Sequence, residues 1–165
     1  MRTRDTDAPE PRLPSPYLSR LLGFIGLLPF VVGALALWFI PANWKPVVLT
    51  ALLNYAAVVL SFMGAIHWGL AMCAGADRGD RRALAQLGLS VIPPLVGWLA
   101  VSFRLSMAVA IPLLLLAFVL LYLADLQAIR LGLAPAWYRQ LRKPLTIAVT
   151  VSLLVAWGGV LFAGQ

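Results

Sequence analysis

Five apolar stretches, each near the roughly 20 residues that a helix needs to cross a hydrocarbon core, follow one another through almost the whole chain, separated by short loops. They fall at about 21–40, 47–73, 84–103, 107–124 and 145–163. No length remains for a soluble catalytic domain. Only 12% of the residues are charged and 62% are hydrophobic, with a mean hydropathy of +0.91. That is too little polar side chain to cover a water-soluble globule. The expected fold class is therefore all-α, a polytopic membrane protein with a five-helix bundle in a single domain over 20–165, preceded by a disordered cytoplasmic tail over 1–19. Acidic residues and prolines among the first arginines make that tail unlike a cleaved signal sequence.

The basic residues set an orientation. Eleven of them flank alternate loops: Arg2, Arg4, Arg12 and Arg20 in the tail, Arg78, Arg81 and Arg82 after the second span, and Arg130, Arg139, Arg142 and Lys143 after the fourth. Lys45 and Arg104 alone fall on the other side. The positive-inside rule then puts the N-terminus in the cytoplasm and the C-terminus outside. The same distribution argues against a nucleic-acid partner despite a net charge of +7, because the cations border apolar spans. Lipids are the expected partners, with a membrane-protein complex as a further one. Cys73 is the only cysteine, so no disulfide forms within the chain.

The second span is the most polar-patterned, reading NYAAVVLSFMGAIHWGLAMC from Asn54 to Cys73. Asn54, Ala57, Ser61, Ala65 and Trp68 fall on one helical stripe, and Gly64, His67 and Ala71 on its neighbour. Small residues at this spacing let helices approach closely, and Asn or Ser can hydrogen-bond across the contact. Asn54, Ser61, Gly64 and Ala65 are thus candidates for helix packing. His67, the only histidine, counts out to the cytoplasmic end of its helix, at a depth similar to Asp125 at the end of the fourth span. If those helices pack together, the pair is either a structural hydrogen bond or a site for a proton or ligand.

The segment 135–143 begins with Pro135, suited to a first helical position. Trp137, Tyr138 and Leu141 would share its apolar face, with Arg139, Arg142 and Lys143 turned away toward lipid phosphates. This describes a short interfacial helix, with Trp137, Tyr138, Arg139 and Lys143 as anchors. Pro29, the Pro93 and Pro94 pair, and Pro112 lie inside spans. Such prolines either surround a transport site or are simply tolerated.

No Walker loop, HExxH or GxSxG is present, and neither a metal nor a cofactor is expected. One histidine with Met63 and Cys73 cannot complete a zinc or haem site alone.

Pro29 with Phe30, Tyr55, LSFMGAIHWGLA from Leu60 to Ala71, Pro94, Asp125, WYxxLR from Trp137 to Arg142, and Leu145 with Thr146 together resemble the transmembrane protein 69 family. The resemblance covers about 18–159 and implies a five-span integral protein of proteobacterial inner membranes, and of mitochondria among eukaryotes. It implies no established activity, and it directs attention to His67, Trp68, Asp125 and Arg142.

Three functions are compatible with this reading. The first is a non-enzymatic accessory or assembly subunit of a larger membrane complex. The second is a small proton-coupled carrier, which requires His67 on the wall of a water-accessible cavity. The third is a lipid- or quinone-binding protein, which requires His67, Trp68 and Arg142 to converge on one pocket.

Overall fold

A computed structural model describes residues 16–74, 80–103 and 105–162. Most of the expected tail, the centre of the loop after the second span, Arg104 and the C-terminus lie outside the described residues. Among the described residues six helices follow in order: α1 Pro16–Ile25, α2 Leu28–Phe39, α3 Lys45–Cys73, α4 Arg81–Ser102, α5 Met107–Arg130 and α6 Ala136–Phe162. With α1 and α2 taken together, they make five helices long and apolar enough to cross a membrane.

The first span is two helices rather than one. Pro29 lacks an N–H, and its ring crowds the carbonyl four residues back, which is that of Ile25, the last residue of α1. The break leaves the Gly26 carbonyl available, and the Tyr55 hydroxyl of α3 donates to it at 2.9 Å. The helix also starts at Pro16, so 16–19 continue the first span instead of ending a tail.

Prolines are absorbed elsewhere. α4 runs through Pro93 and Pro94, and α5 through Pro112. α5 also continues past Asp125 to Arg130, because that carboxylate is paired inside the bundle and does not end the helix. It closes on Gly132, whose φ of 74° is the left-handed conformation that suits glycine. There Gly132 N–H donates to the Ile129 carbonyl and Leu133 N–H to the Ala128 carbonyl, the paired bonds of a Schellman motif. The chain then reverses directly into α6. The expected interfacial helix 135–143 and the last span are one helix, with Pro144 inside it and exposed to the surroundings.

The spans close into a ring in which α2, α3, α4, α5 and α6 each touch the next and α6 returns to α2, while α3 also touches α5 across the middle. Phe30, Leu37, Leu60, Ile111, Leu114 and Leu153 fill the core. Phe30 sits edge-on between Tyr55 and Phe118. Each span turns large apolar side chains outward, among them Val58, Phe62, Ile92, Leu116, Ile147 and Leu154. Lipid rather than water suits such a surface.

The close approach of α3 to α4 depends on glycine. A Cβ at Gly64 would stand 2.8 Å from the Ser90 carbonyl oxygen and against both Pro93 and Pro94, and one at Gly97 would meet the Ala57 backbone. Pro94 offers no N–H to the Ser90 carbonyl. That carbonyl instead faces the Gly64 surface of α3.

Candidate functional site

Each helix of the ring from α3 to α6 carries one inward stripe, and at one end of the bundle all four stripes turn polar. On α3 the stripe Leu53, Ala56, Leu60, Gly64 leads to His67. On α4, Ala100, Gly97, Pro93 and Ser90 lead to Gln86. On α5, Ile111, Leu114, Phe118 and Leu121 lead to Asp125. On α6, Ala156, Leu153, Val149 and Thr146 lead to Arg142 and Tyr138. His67, Gln86, Asp125 and Arg142 lie about one and a half turns inside their helix ends, roughly 7 to 9 Å deep, with Tyr138 nearer the start of α6.

Asp125 is the hub. Arg142 donates from Nε to Oδ2 at 2.5 Å, and the Tyr138 hydroxyl donates to Oδ1 at 3.3 Å. His67 Nε2 stands 3.2 Å from Oδ1. That approach is off the hydrogen-bond line, so Nε2 is close in charge terms but without a well-directed partner. On the far side of the ring, His67 Nδ1 is 2.5 Å from Gln86 Oε1. The guanidinium of Arg142 also rests against the Met63 sulfur, and its centre is 5.9 Å from the Tyr138 ring. His67 is 0% and Asp125 1% exposed, with Arg142 at 5% and Gln86 at 6%.

Burial at this level is sustained by charge balance. Arg142 and Asp125 carry opposite charges, so each offsets the cost of burying the other. An imidazole facing a carboxylate oxygen is stable with its proton on Nε2, which makes Nδ1 an acceptor. Gln86 then presents its amide N–H₂ to Nδ1, an orientation related to the one above by a simple exchange of amide O and N. In either orientation one histidine ties α4 to α5, and one carboxylate ties α5 to α6. The arrangement can hold four helices in register, and it can pass a proton between His67 and Asp125 only within an enclosed space.

Several residues lie elsewhere than the sequence suggested. Arg142 points into the bundle instead of toward lipid phosphates, because Asp125 offers it a buried carboxylate one helix away. Tyr138 is buried for the same reason, whereas Trp137, Arg139 and Lys143 are exposed. Trp68 is 49% exposed and faces away from His67, so the convergent pocket of His67, Trp68 and Arg142 does not form. His67 lines none of the grooves found between α4 and α5, between α2 and α6, or beside Asn54.

The packing stripe of α3 is the one through Gly64, His67 and Ala71. Asn54 and Ala65 are exposed, and Ser61 is half-buried and donates to the Ala57 carbonyl of its own helix. Gln86 was not anticipated. Its signal was present as the spacing Ala83, Gln86, Ser90, Pro93, Gly97, Ala100, a small-and-polar stripe through an otherwise large-residue span. Among the described residues, no group of three or more His, Cys, Asp and Glu side chains is placed to hold a metal ion.

A family described as "Protein of unknown function (DUF3429)" matches residues 15–158. Transmembrane protein 69 of Xenopus tropicalis is 32% identical over 148 residues, which is 90% of this chain and 54% of that relative. The chain thus spans about half the length of this relative. No solved structure matches.

Proposed function

This chain belongs to the family described as protein of unknown function (DUF3429), and we propose that it is a non-enzymatic accessory or assembly subunit of a larger membrane complex, docked through the outward face of α3. The observation that carries this reading is Asn54. It lies about 13 Å from the Lys45 end of α3, it is exposed, and with Thr50 one turn away it lines a cavity of about 400 Å³ whose other walls include Ala100, Met107 and Ala110. An outward amide at hydrocarbon depth is costly unless another helix supplies its partner. Ala65 and Trp68 extend the same face toward the other end.

The enclosed polar cluster supports the same reading, since a sealed His67 and Asp125 pair serves a scaffold better than a carrier. The proposed location is a bacterial inner membrane with the clustered end in the cytoplasm. Arg20, Arg81, Arg82, Arg130, Arg139 and Lys143 crowd that end, while Lys45 starts α3 at the other. An impermeant maleimide should then reach the exposed Cys73 only after the membrane is opened.

Native mass spectrometry of protein extracted gently at natural abundance tests the docking. A stoichiometric protein partner that is lost in Asn54→Leu is the expected result. A partner-free monomer, with Asn54→Leu behaving as the parent, would overturn the reading.

A further inference from the structure

Between α4 and α5 a groove of about 390 Å³ opens on the outer surface of the bundle, away from both the polar cluster and the α3 face. Its walls are Leu89, Ile92 and Val96 on one helix and Ala117, Leu120 and Ala124 on the other, with Pro93 at its floor. The groove exists because α5 places alanine at two wall positions, and because Pro93 and Pro94 belong to the stripe that α4 turns toward α3. In a membrane such a slot admits an aliphatic chain. Nothing in its walls favours a polar ligand over most of its length.

Its ends are unlike each other. Toward the clustered end of the bundle the α5 wall finishes at Gln127, whose amide is exposed. Three residues on, Arg130 prolongs that wall. On α4, the wall positions Val96, Ile92 and Leu89 continue backward at helical spacing through Ala85 to Arg82. Both arginines are exposed, and among the described residues neither forms an ion pair. Asp80, the acid nearest Arg82 in sequence, caps the α4 N-terminus by accepting from the Arg82 backbone N–H, and Asp125, the acid nearest Arg130, is paired with Arg142. Toward the other end the walls finish at Val96 and Ala117, and among the described residues no cation lines the groove there.

We infer that this groove is a binding site for an anionic phospholipid. One acyl chain lies between α4 and α5, the phosphate sits between Arg82 and Arg130, and Gln127 hydrogen-bonds the glycerol or ester region. Two cations from different helices recognise the phosphate, and the apolar slot below them selects a lipid over a free anion. The inference is independent of the α3 docking reading, since it uses neither that face nor any partner protein.

Titrating phosphatidylglycerol against phosphatidylcholine of identical chains, in mixed nanodiscs released for native mass spectrometry, tests it. The parent should retain one phosphatidylglycerol in preference. The variant Arg82→Gln with Arg130→Gln should lose that preference by roughly tenfold or more, since each interfacial arginine contributes a factor of several. A control, Arg139→Gln with Lys143→Gln, removes the same charge from α6, outside the two groove stripes, and should keep it. Ala124→Phe, which fills the slot, should lower retention of both lipids while unfolding as the parent does. Equal losses in the control and the groove variant, or no loss in either, would overturn the site. So would effective competition by millimolar inorganic phosphate, because the chain would then contribute nothing.

Discussion

The two ends of this bundle are built by different physics. At one end His67, Gln86, Asp125, Tyr138 and Arg142 join four helices through hydrogen bonds and the close approach of His67 to Asp125. At the other, Leu37, Leu49, Ala100, Ala110 and Ala156 meet as apolar surfaces, and Trp38 lies across Gly159 with its Nε1 donating to the Val155 carbonyl at 3.2 Å. In lipid, apolar side chains gain little by leaving one hydrocarbon environment for another, so helix association rests on shape and polar contacts. The apolar end is therefore held by fit, which many helix rotations can approximate. The polar end accepts one arrangement, and it sets which helices are neighbours and in what register.

Asp125→Leu gives the largest expected effect on this contrast. It leaves the Arg142 guanidinium buried without a counter-charge, and breaking a buried pair in this way costs about 3–5 kcal/mol. Unfolding in bicelles, followed by tryptophan fluorescence, measures it. Adding Arg142→Met to the same chain removes the orphaned charge and should recover most of the loss. If the single variant cost under about 1 kcal/mol, water would be screening the pair, and the contrast between the ends would collapse.

A smaller effect tests how close α3 and α4 must come for the cluster to assemble. Gly64→Ala puts a methyl 2.8 Å from the Ser90 carbonyl and 3.1 Å from Pro94 Cδ, neither of which can swing aside. Overpacking of this kind costs about 1–3 kcal/mol. Gly69→Ala, on the same helix with nothing within 4 Å, should be neutral or slightly stabilising, because alanine is the better helix former. The same unfolding assay separates the two. Equal behaviour would mean that the helices are not in contact at Gly64.

The spans were legible because hydropathy over about 20 residues is a strong signal, and His67 and Asp125 stood out as ionisable groups in apolar runs. What failed was the use of charge to mark helix ends. Asp125 and Arg142 both looked like boundary residues, yet each lies within a helix, because paired charges can be carried inside one. The α3 stripe failed for another reason. Two adjacent stripes of small residues look equivalent in the sequence, and the choice between them is made by α4, whose Pro93 and Pro94 and Ser90 carbonyl fit only Gly64. Gln86 was readable only as a member of the small-and-polar spacing from Ala83 to Ala100, since one amide in an apolar run means little without its stripe.

Tyr55→Phe addresses the middle of the bundle, where the kink between α1 and α2 is tied to α3. It removes the 2.9 Å bond to the Gly26 carbonyl and keeps the ring that packs on Phe30. The expected loss is about 0.5–1.5 kcal/mol in the same assay. Faster hydrogen exchange should be confined to the turn at Gly26 and Leu27. A change that instead spread to the polar cluster would show that the kink and the lock are coupled, and that the two ends are not independent.

Trp38→Phe should have the smallest effect, and it speaks directly for the apolar end. Trp38 is 48% exposed, and its bond to Val155 is made where surrounding groups can replace it. Phenylalanine keeps an aromatic ring near Gly159 and Phe162, so the expected change is under about 1 kcal/mol. The comparison is sharpened by combining it with Asp125→Leu. Held by fit alone, the apolar end should add its small cost to the large one within about 0.5 kcal/mol, as distant sites do. A larger coupling would mean that the register imposed by Asp125 is transmitted along α5 and α6 to Trp38, so that the polar end positions both.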